Sequence, residues 1–130
     1  MMPKGKILVV DDEEIVRISC NRLLTPEGYD VKTVKSATDA FALLKAEPFD
    51  LVLTDLKMPD IDGIEVLRRV KEEWPHIEVV MITGYQTITS AVQAIKLGAF
   101  DYLEKPFTPD SILATVENAL KQKREDGPPL

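Results

Sequence analysis

Cysteine, histidine and tryptophan each occur once in the 130 residues. A lone thiol, Cys20, forms neither an internal disulfide nor a cysteine metal cluster, which fits a reducing, cytoplasmic setting. His76 directly follows Pro75, between a helical and an extended pattern, and reads as a solvent-exposed connection residue. No run approaches the ~20 apolar residues needed to cross a bilayer. The opening MMPKGKILVVDD has only four consecutive apolar residues, too few for a signal peptide. Basic residues are outnumbered, 16 Lys and Arg against 22 Asp and Glu, for a net charge of −6. That balance disfavours direct binding to nucleic acid or to anionic membrane surfaces. There is no fixed-period repeat and no low-complexity segment.

What is present suffices for one domain with a core. Hydrophobic residues make up 45% of the chain and charged residues 29%, spread throughout. Five apolar runs recur: KILVV 6–10, YDVKTV 29–34, DLVLT 50–54, IEVVMI 77–82 and FDYLEK 100–105. The first, third and fourth are nearly continuous, as in strands covered on both faces of a parallel sheet, while YDVKTV alternates like an edge strand. Between them run helical periods: Val16, Cys20, Leu23, Leu24; Ala37, Ala40, Phe41, Leu44; Ile64, Leu67, Val70, Trp74; Ile88, Ala91, Val92, Ile95; and Ile112, Val116, Leu120. Ser36 with Asp39 and Asp62 with Glu65 resemble capping boxes, and Thr108-Pro109 places a cap before a first-turn proline. Gly28, EWP before His76, and Gly98 are stop signals. The order is βα five times, which predicts an α/β fold with a parallel sheet and helices on both faces. Residues 1–5 read as a lead, 6–122 as the domain, and 123–130 as a linker stub or disordered tail.

In such a sheet ligands bind beyond the carboxyl ends of the strands. Asp11 and Asp12 follow the first strand, Asp55 the third, Thr83 and Gly84 the fourth, and Lys105-Pro106 the fifth. Converging carboxylates repel, and a hard divalent cation such as Mg²⁺ or Mn²⁺ relieves that repulsion through oxygen ligands. A nearby lysine and a threonine hydroxyl beside a small residue suit a phosphoryl group. The set matches phosphoryl transfer, with one carboxylate as nucleophile.

The stretches ILVVDDEE, DLVLTDLKMPDIDG, VVMITGYQT and KLGAFDYLEKPF together resemble a response-regulator receiver domain of two-component signalling, over residues 6 to about 122. The later segments are most similar to receivers of the NtrC-type, σ54-dependent regulators. The resemblance implies a flavodoxin-like (βα)5 fold, strand order 2-1-3-4-5, and Asp55 as phosphoacceptor from the phosphohistidine of a sensor kinase. It implies metal contacts from Asp12, Asp55 and the Lys57 backbone carbonyl, with Asp11 acting through water. It further implies Thr83 as switch hydroxyl, Lys105 as phosphoryl-pairing lysine, Tyr102 as switch aromatic, and a cis Lys105–Pro106 bond. Such a domain catalyses its own phosphorylation and slow dephosphorylation rather than turning over a metabolite. Its partners would be the kinase and an output domain or protein read through the fourth helix, fifth strand and fifth helix, or a second copy in a homodimer. Control of transcription is the expected output.

Each residue also has a plainer reading. Asp11 and Asp12 could cap the first helix, Asp55 could end a strand, and Thr83 could sit in a turn. Tyr102 alone reads as core, Lys105 as surface, and Lys105–Pro106 as trans. Asp60 and Asp62 read as turn and cap residues, and Cys20 as a small core residue. Other classes fit less well. A haloacid-dehalogenase-type phosphohydrolase needs a D-x-D-like motif after strand one, where DDEEI stands. A flavin carrier needs a phosphate-cradling first loop, and this one is acidic. A histidine phosphotransfer module needs a histidine on a helix face. A purely structural domain leaves the polar edge residues without a task. Lys57 and Tyr85 lie two positions beyond Asp55 and Thr83, positions that the resemblance implies tune hydrolysis, and a long lysine and a bulky ring there are expected to limit attack by water on a phosphoryl group. Slow dephosphorylation is therefore expected, and the half-life of the phosphorylated chain, followed by intact mass, should shorten in Tyr85→Ala.

Overall fold

Residues rich in Val, Leu and Ile form the interior strands, where both faces of the sheet are covered. In the computed structural model, which describes residues 4–84 and 88–125, these are β1 (Lys6–Val10), β3 (Leu51–Thr54) and β4 (Glu78–Thr83). All but the first residue of β1 and of β4, and all of β3, are buried. The alternating run becomes the edge strand β2 (Asp30–Val34), and the fifth becomes the opposite edge, β5 (Asp101–Glu104). All pairings are parallel and the order is β2-β1-β3-β4-β5, the order expected of a flavodoxin-like (βα)5 chain.

Among the described residues four α-helices cross between the strands, α1 (Glu14–Leu24), α2 (Ala37–Ala46), α3 (Gly63–Glu73) and α4 (Ile88–Lys96), and α5 (Pro109–Glu125) follows the last. Two cores result, one on each sheet face. One joins Leu8, Val10, Val52 and Met81 to α2, α3 and Ala94 of α4. The other joins Ile7, Val9, Leu53 and Ile82 to α1 and α5. Alternate residues of each strand feed opposite cores, as the pleat requires. Fully burying a side chain such as Leu8 or Ile82 contributes roughly 1.5–3 kcal/mol. Cys20 belongs to the second core, and burial pushes its thiol up to about 12, so it stays protonated. His76 is exposed, as expected.

Two helix readings need correction. In α4 the expected apolar stripe does not face the core: Ala94 is fully buried, whereas Val92 and Ile95 are 46% and 49% exposed. This helix is apolar on two sides, and only the small alanine side packs closely on the sheet. Hydrophobicity alone does not say which side is inside. The α5 helix continues through Glu125, beyond residue 122, because Lys121 to Glu125 are good helix formers even without an apolar stripe.

Helix starts follow the predicted residues with altered bonding. Thr108 and Ser111 cap α5 reciprocally, each side chain accepting from the other's amide at 3.0–3.1 Å. Ser36 caps α2 through the Asp39 amide. Asp62 caps α3 through Ile64, but Glu65 pairs with Arg68 and Arg69 instead of closing a box. Asp60 does more than turn the chain. Its carboxylate accepts from the Ala37 amide (3.4 Å), the Thr38 amide (3.1 Å) and the Thr38 hydroxyl (3.0 Å), so the loop after β3 caps α2 from across the fold.

Desolvation pushes the Asp60 carboxyl up, but the bonds from Thr38, Ile61 and Ala37 outweigh it and hold it below its ordinary 3.8. A depressed carboxyl stabilises above the unfolded value, and that contribution fades as pH falls through the folded value. Asp60→Ala should therefore cost about 1 kcal/mol near neutral pH, typical of a lost cap, read as a lower urea midpoint at unchanged slope. The gap from wild type should narrow as pH falls below 3.8.

Candidate functional site

The sheet register sets the site. Val10 pairs with Thr54, Thr54 with Met81, and Thr83 with Glu104, so the next residues of each strand emerge side by side. Ladder bonds run one step further: the Asp11 amide donates to Val34 O (3.1 Å), the Asp55 amide to Val10 O (2.9 Å) and the Lys105 amide to Thr83 O (3.0 Å). Asp11, Asp55 and Thr83 are buried at 1%, 6% and 1% exposure, while Asp12 is exposed. Carboxylate oxygens of Asp11, Asp12 and Asp55 all lie within 4.8 Å of one another.

Into this cluster comes Lys105, whose peptide bond to Pro106 is cis. Its ammonium donates to Glu13 Oε1 at 2.8 Å and to Asp55 Oδ2 at 3.3 Å. It also lies 2.8 Å from Asp11 Oδ2, but without hydrogen-bond alignment, so that buried oxygen keeps unused acceptor capacity. Burial lowers the Lys105 affinity for its proton, yet the contacts with Asp11 and Glu13 and the charge of Asp55 outweigh this and raise its pKa. It is therefore a fixed cation. For Asp11, desolvation is the largest influence and pushes its carboxyl up, helped by the Asp55 charge and opposed by Lys105 and the Glu13 amide. One ammonium thus leaves the negative charge incompletely matched. An under-filled buried oxygen beside two further carboxylates is an oxygen donor set suited to a hard divalent cation such as Mg²⁺ or Mn²⁺.

The remaining predicted residues take distinct places. Lys57 is exposed and donates its amide to Asp55 Oδ1 at 3.4 Å. Thr83 ends β4 beside Lys105. Tyr102 lies along β5 opposite Met81, half-buried and packed against the core on the α2–α3–α4 face, outside the carboxylate cluster. Desolvation, then the charges of Asp55 and Glu104, raise its phenol pKa. Tyr85 lies outside the described residues. As for the plainer capping role of Asp11, it holds as well: its Oδ1 accepts from the Glu13 amide at 2.9 Å.

Three further residues shape the site. Glu13 binds Lys105; the acidic DDEE run was the available signal. Arg17 donates to the Asp11 carbonyl at 2.8 Å from the next turn of α1 and so holds the acidic loop. Gly63 presses on the backbone of Asp55: a Cβ there would stand 2.1 Å from the Asp55 carbonyl oxygen and 2.8 Å from Leu56 Cα. Its amide donates to Leu56 O at 2.8 Å.

The response regulator receiver domain model matches residues 7–117. The chain is 39% identical over 128 residues to the DNA-binding transcriptional regulator NtrC of Proteus hauseri, covering 98% of this chain and 27% of that protein. It is 39% identical over 122 residues to the transcriptional regulatory protein FixJ of Bradyrhizobium diazoefficiens, covering 94% of this chain and 60% of FixJ. It therefore spans only part of the length of these relatives. Among solved structures, the beryllofluoride-activated NtrC4 receiver domain dimer superposes with TM-score 0.87 at 38% identity, covering 91% of this chain and 98% of that one.

Because Gly63 meets main chain rather than a flexible side chain, any Cβ must displace the Asp55 peptide or the start of α3. Gly63→Ala should cost about 1–3 kcal/mol in urea unfolding, typical of overpacking. In the fraction still folded, the backbone amide resonances of Asp55 and Leu56 should shift.

Proposed function

The chain belongs to the response regulator receiver domain family, and from that premise we propose that Asp55 is the phosphoacceptor for a sensor histidine kinase. It is thus a signalling domain of two-component systems, and the closeness of three carboxylates to one lysine carries the chemical reading. An Asp55 carboxylate oxygen attacks the phosphorus of a phosphohistidine. An oxygen–phosphorus bond forms, the phosphorus–nitrogen bond breaks, and the freed imidazole takes up a proton. The product is an acyl phosphate on Asp55.

Asp12, Asp55 and the Lys57 carbonyl would hold Mg²⁺ or Mn²⁺, with Asp11 reaching it through water; bound there, the cation neutralises charge on the transferring phosphoryl group. Asp11 and Asp12 keep the acidic loop poised for that role. Lys105, already 3.3 Å from Asp55 Oδ2, pairs with a phosphoryl oxygen once Asp55 is modified. Thr83 then hydrogen-bonds another. Movement of Thr83 opens room toward which Tyr102 turns, and the α4–β5–α5 surface changes. The driving force is differential binding: the phosphoryl group favours one arrangement of the Thr83 and Lys105 loops over another. In this scheme the domain catalyses its own phosphorylation, and Lys57 and Tyr85 slow the hydrolysis.

The partner-facing surface has support in the exposed Val92 and Ile95 of α4, bulky apolar groups that a packed face would cover. An output domain, a partner protein or a second copy would cover them. Likeness to NtrC and FixJ favours transcription as the regulated process, and a kinase donor of this kind favours a cytoplasmic setting. Among the described residues no helix is long and apolar enough to cross a membrane.

Incubation with acetyl phosphate and Mg²⁺ should add one phosphoryl mass to the intact chain. Chelation of the metal and Asp55→Asn should each abolish the gain. Uptake by Asp55→Asn at the wild-type level would exclude Asp55 as the acceptor.

A further inference from the structure

We propose that Glu13 is a positioning residue for Lys105, giving its ammonium an outer partner and holding it off Asp55 so that a cation can take the inner carboxylates. This rests on the metal-dependent reading of the site given above.

Lys105 is shared unequally. Its better hydrogen bond, 2.8 Å, goes to Glu13, and the one to Asp55 is 3.3 Å. Asp11 Oδ2 lies 2.8 Å away, as near as Glu13, but without hydrogen-bond alignment. Glu13 itself is not in the carboxylate cluster formed by Asp11, Asp12 and Asp55. Its side chain is 55% exposed, against 2% for Asp11 and 8% for Asp55. The ammonium therefore hangs between an outer carboxylate and two inner ones, and a lysine has three N–H donors to distribute.

The inner carboxylates are the ones a divalent cation needs. An ammonium seated on them is a competitor that must first be displaced. Glu13 lowers that cost by giving the ammonium an alternative partner one step outward. It also keeps Lys105 beside Asp55, within reach of a phosphoryl oxygen, once the inner oxygens turn to the cation. Without Glu13 the ammonium, already beside Asp11, settles fully onto Asp55 as well, and the cation binds less well. The effect is transmitted by a contact, which separates it from the general attraction of one more negative charge.

Calorimetric titration of the full chain with Mg²⁺ alone tests this. Glu13→Gln should weaken Mg²⁺ binding about threefold, the scale of a partly exposed ion pair. Glu13→Asp keeps the charge but shortens the side chain by one methylene, and should behave like Glu13→Gln. In a Lys105→Met background, Glu13→Gln should leave the Mg²⁺ affinity unchanged. Unaltered thermal melts of the Glu13 variants without metal exclude misfolding. The proposal is overturned if Glu13→Gln binds Mg²⁺ as wild type does, if Glu13→Asp matches wild type, or if the loss persists without Lys105. A wild-type chain that bound no Mg²⁺ would instead sink the metal-dependent reading, and this inference with it.

Discussion

Three carboxylates within 4.8 Å are an electrostatic liability, and the carboxyl edge of the sheet is arranged to keep them together. The cost falls on a fold that already buries two apolar cores, so a local penalty is tolerated. Parallel register fixes Asp11 and Asp55 side by side whether or not they repel. Lys105 supplies one positive charge from the far strand, its backbone tied to Thr83 O. Arg17 pins the acidic loop through a carbonyl rather than through its charge, which leaves the loop carboxylates available. The site is held together by the sheet and is not itself what holds the sheet.

Much of this edge is legible in the sequence because each element announces itself by a different signal. Continuous Val and Leu runs mark β1, β3 and β4, and the first polar residue after each run is a site residue. The acidic loop, Asp55, Thr83 and Lys105 were therefore all placed by counting to the end of a strand. Glu13 is not distinguished in the sequence, because the run DDEE offers four carboxylates and periodicity does not say which one a lysine 92 positions away will choose. Gly63 carries no sequence signal for its role, which is the absence of an atom beside another residue's backbone. Asp60 looked like turn chemistry because its partners, Ala37 and Thr38, lie more than twenty residues earlier.

The α4 helix shows the limit of hydrophobic patterning from the other side. Its apolar residues exceed what one face can bury, and the close approach to the sheet selects alanine over valine and isoleucine. The bulky pair left outside is not an error of packing. It leaves an apolar outer face on the same layer as Tyr102, so an exposed apolar surface and the core behind it belong to one short helix.

The contact of Gly63 with Asp55 divides the site into positions that can drift and one that cannot. Every codon change that replaces glycine adds at least a Cβ, and here even that atom collides with main chain. Position 63 is therefore closed to gradual exploration. Glu13 and Lys57, by contrast, stand exposed at the rim, where an added atom meets no main chain of the kind that closes position 63. A lineage built on this frame can vary the rim freely, while the backbone that carries Asp55 passes unchanged from copy to copy.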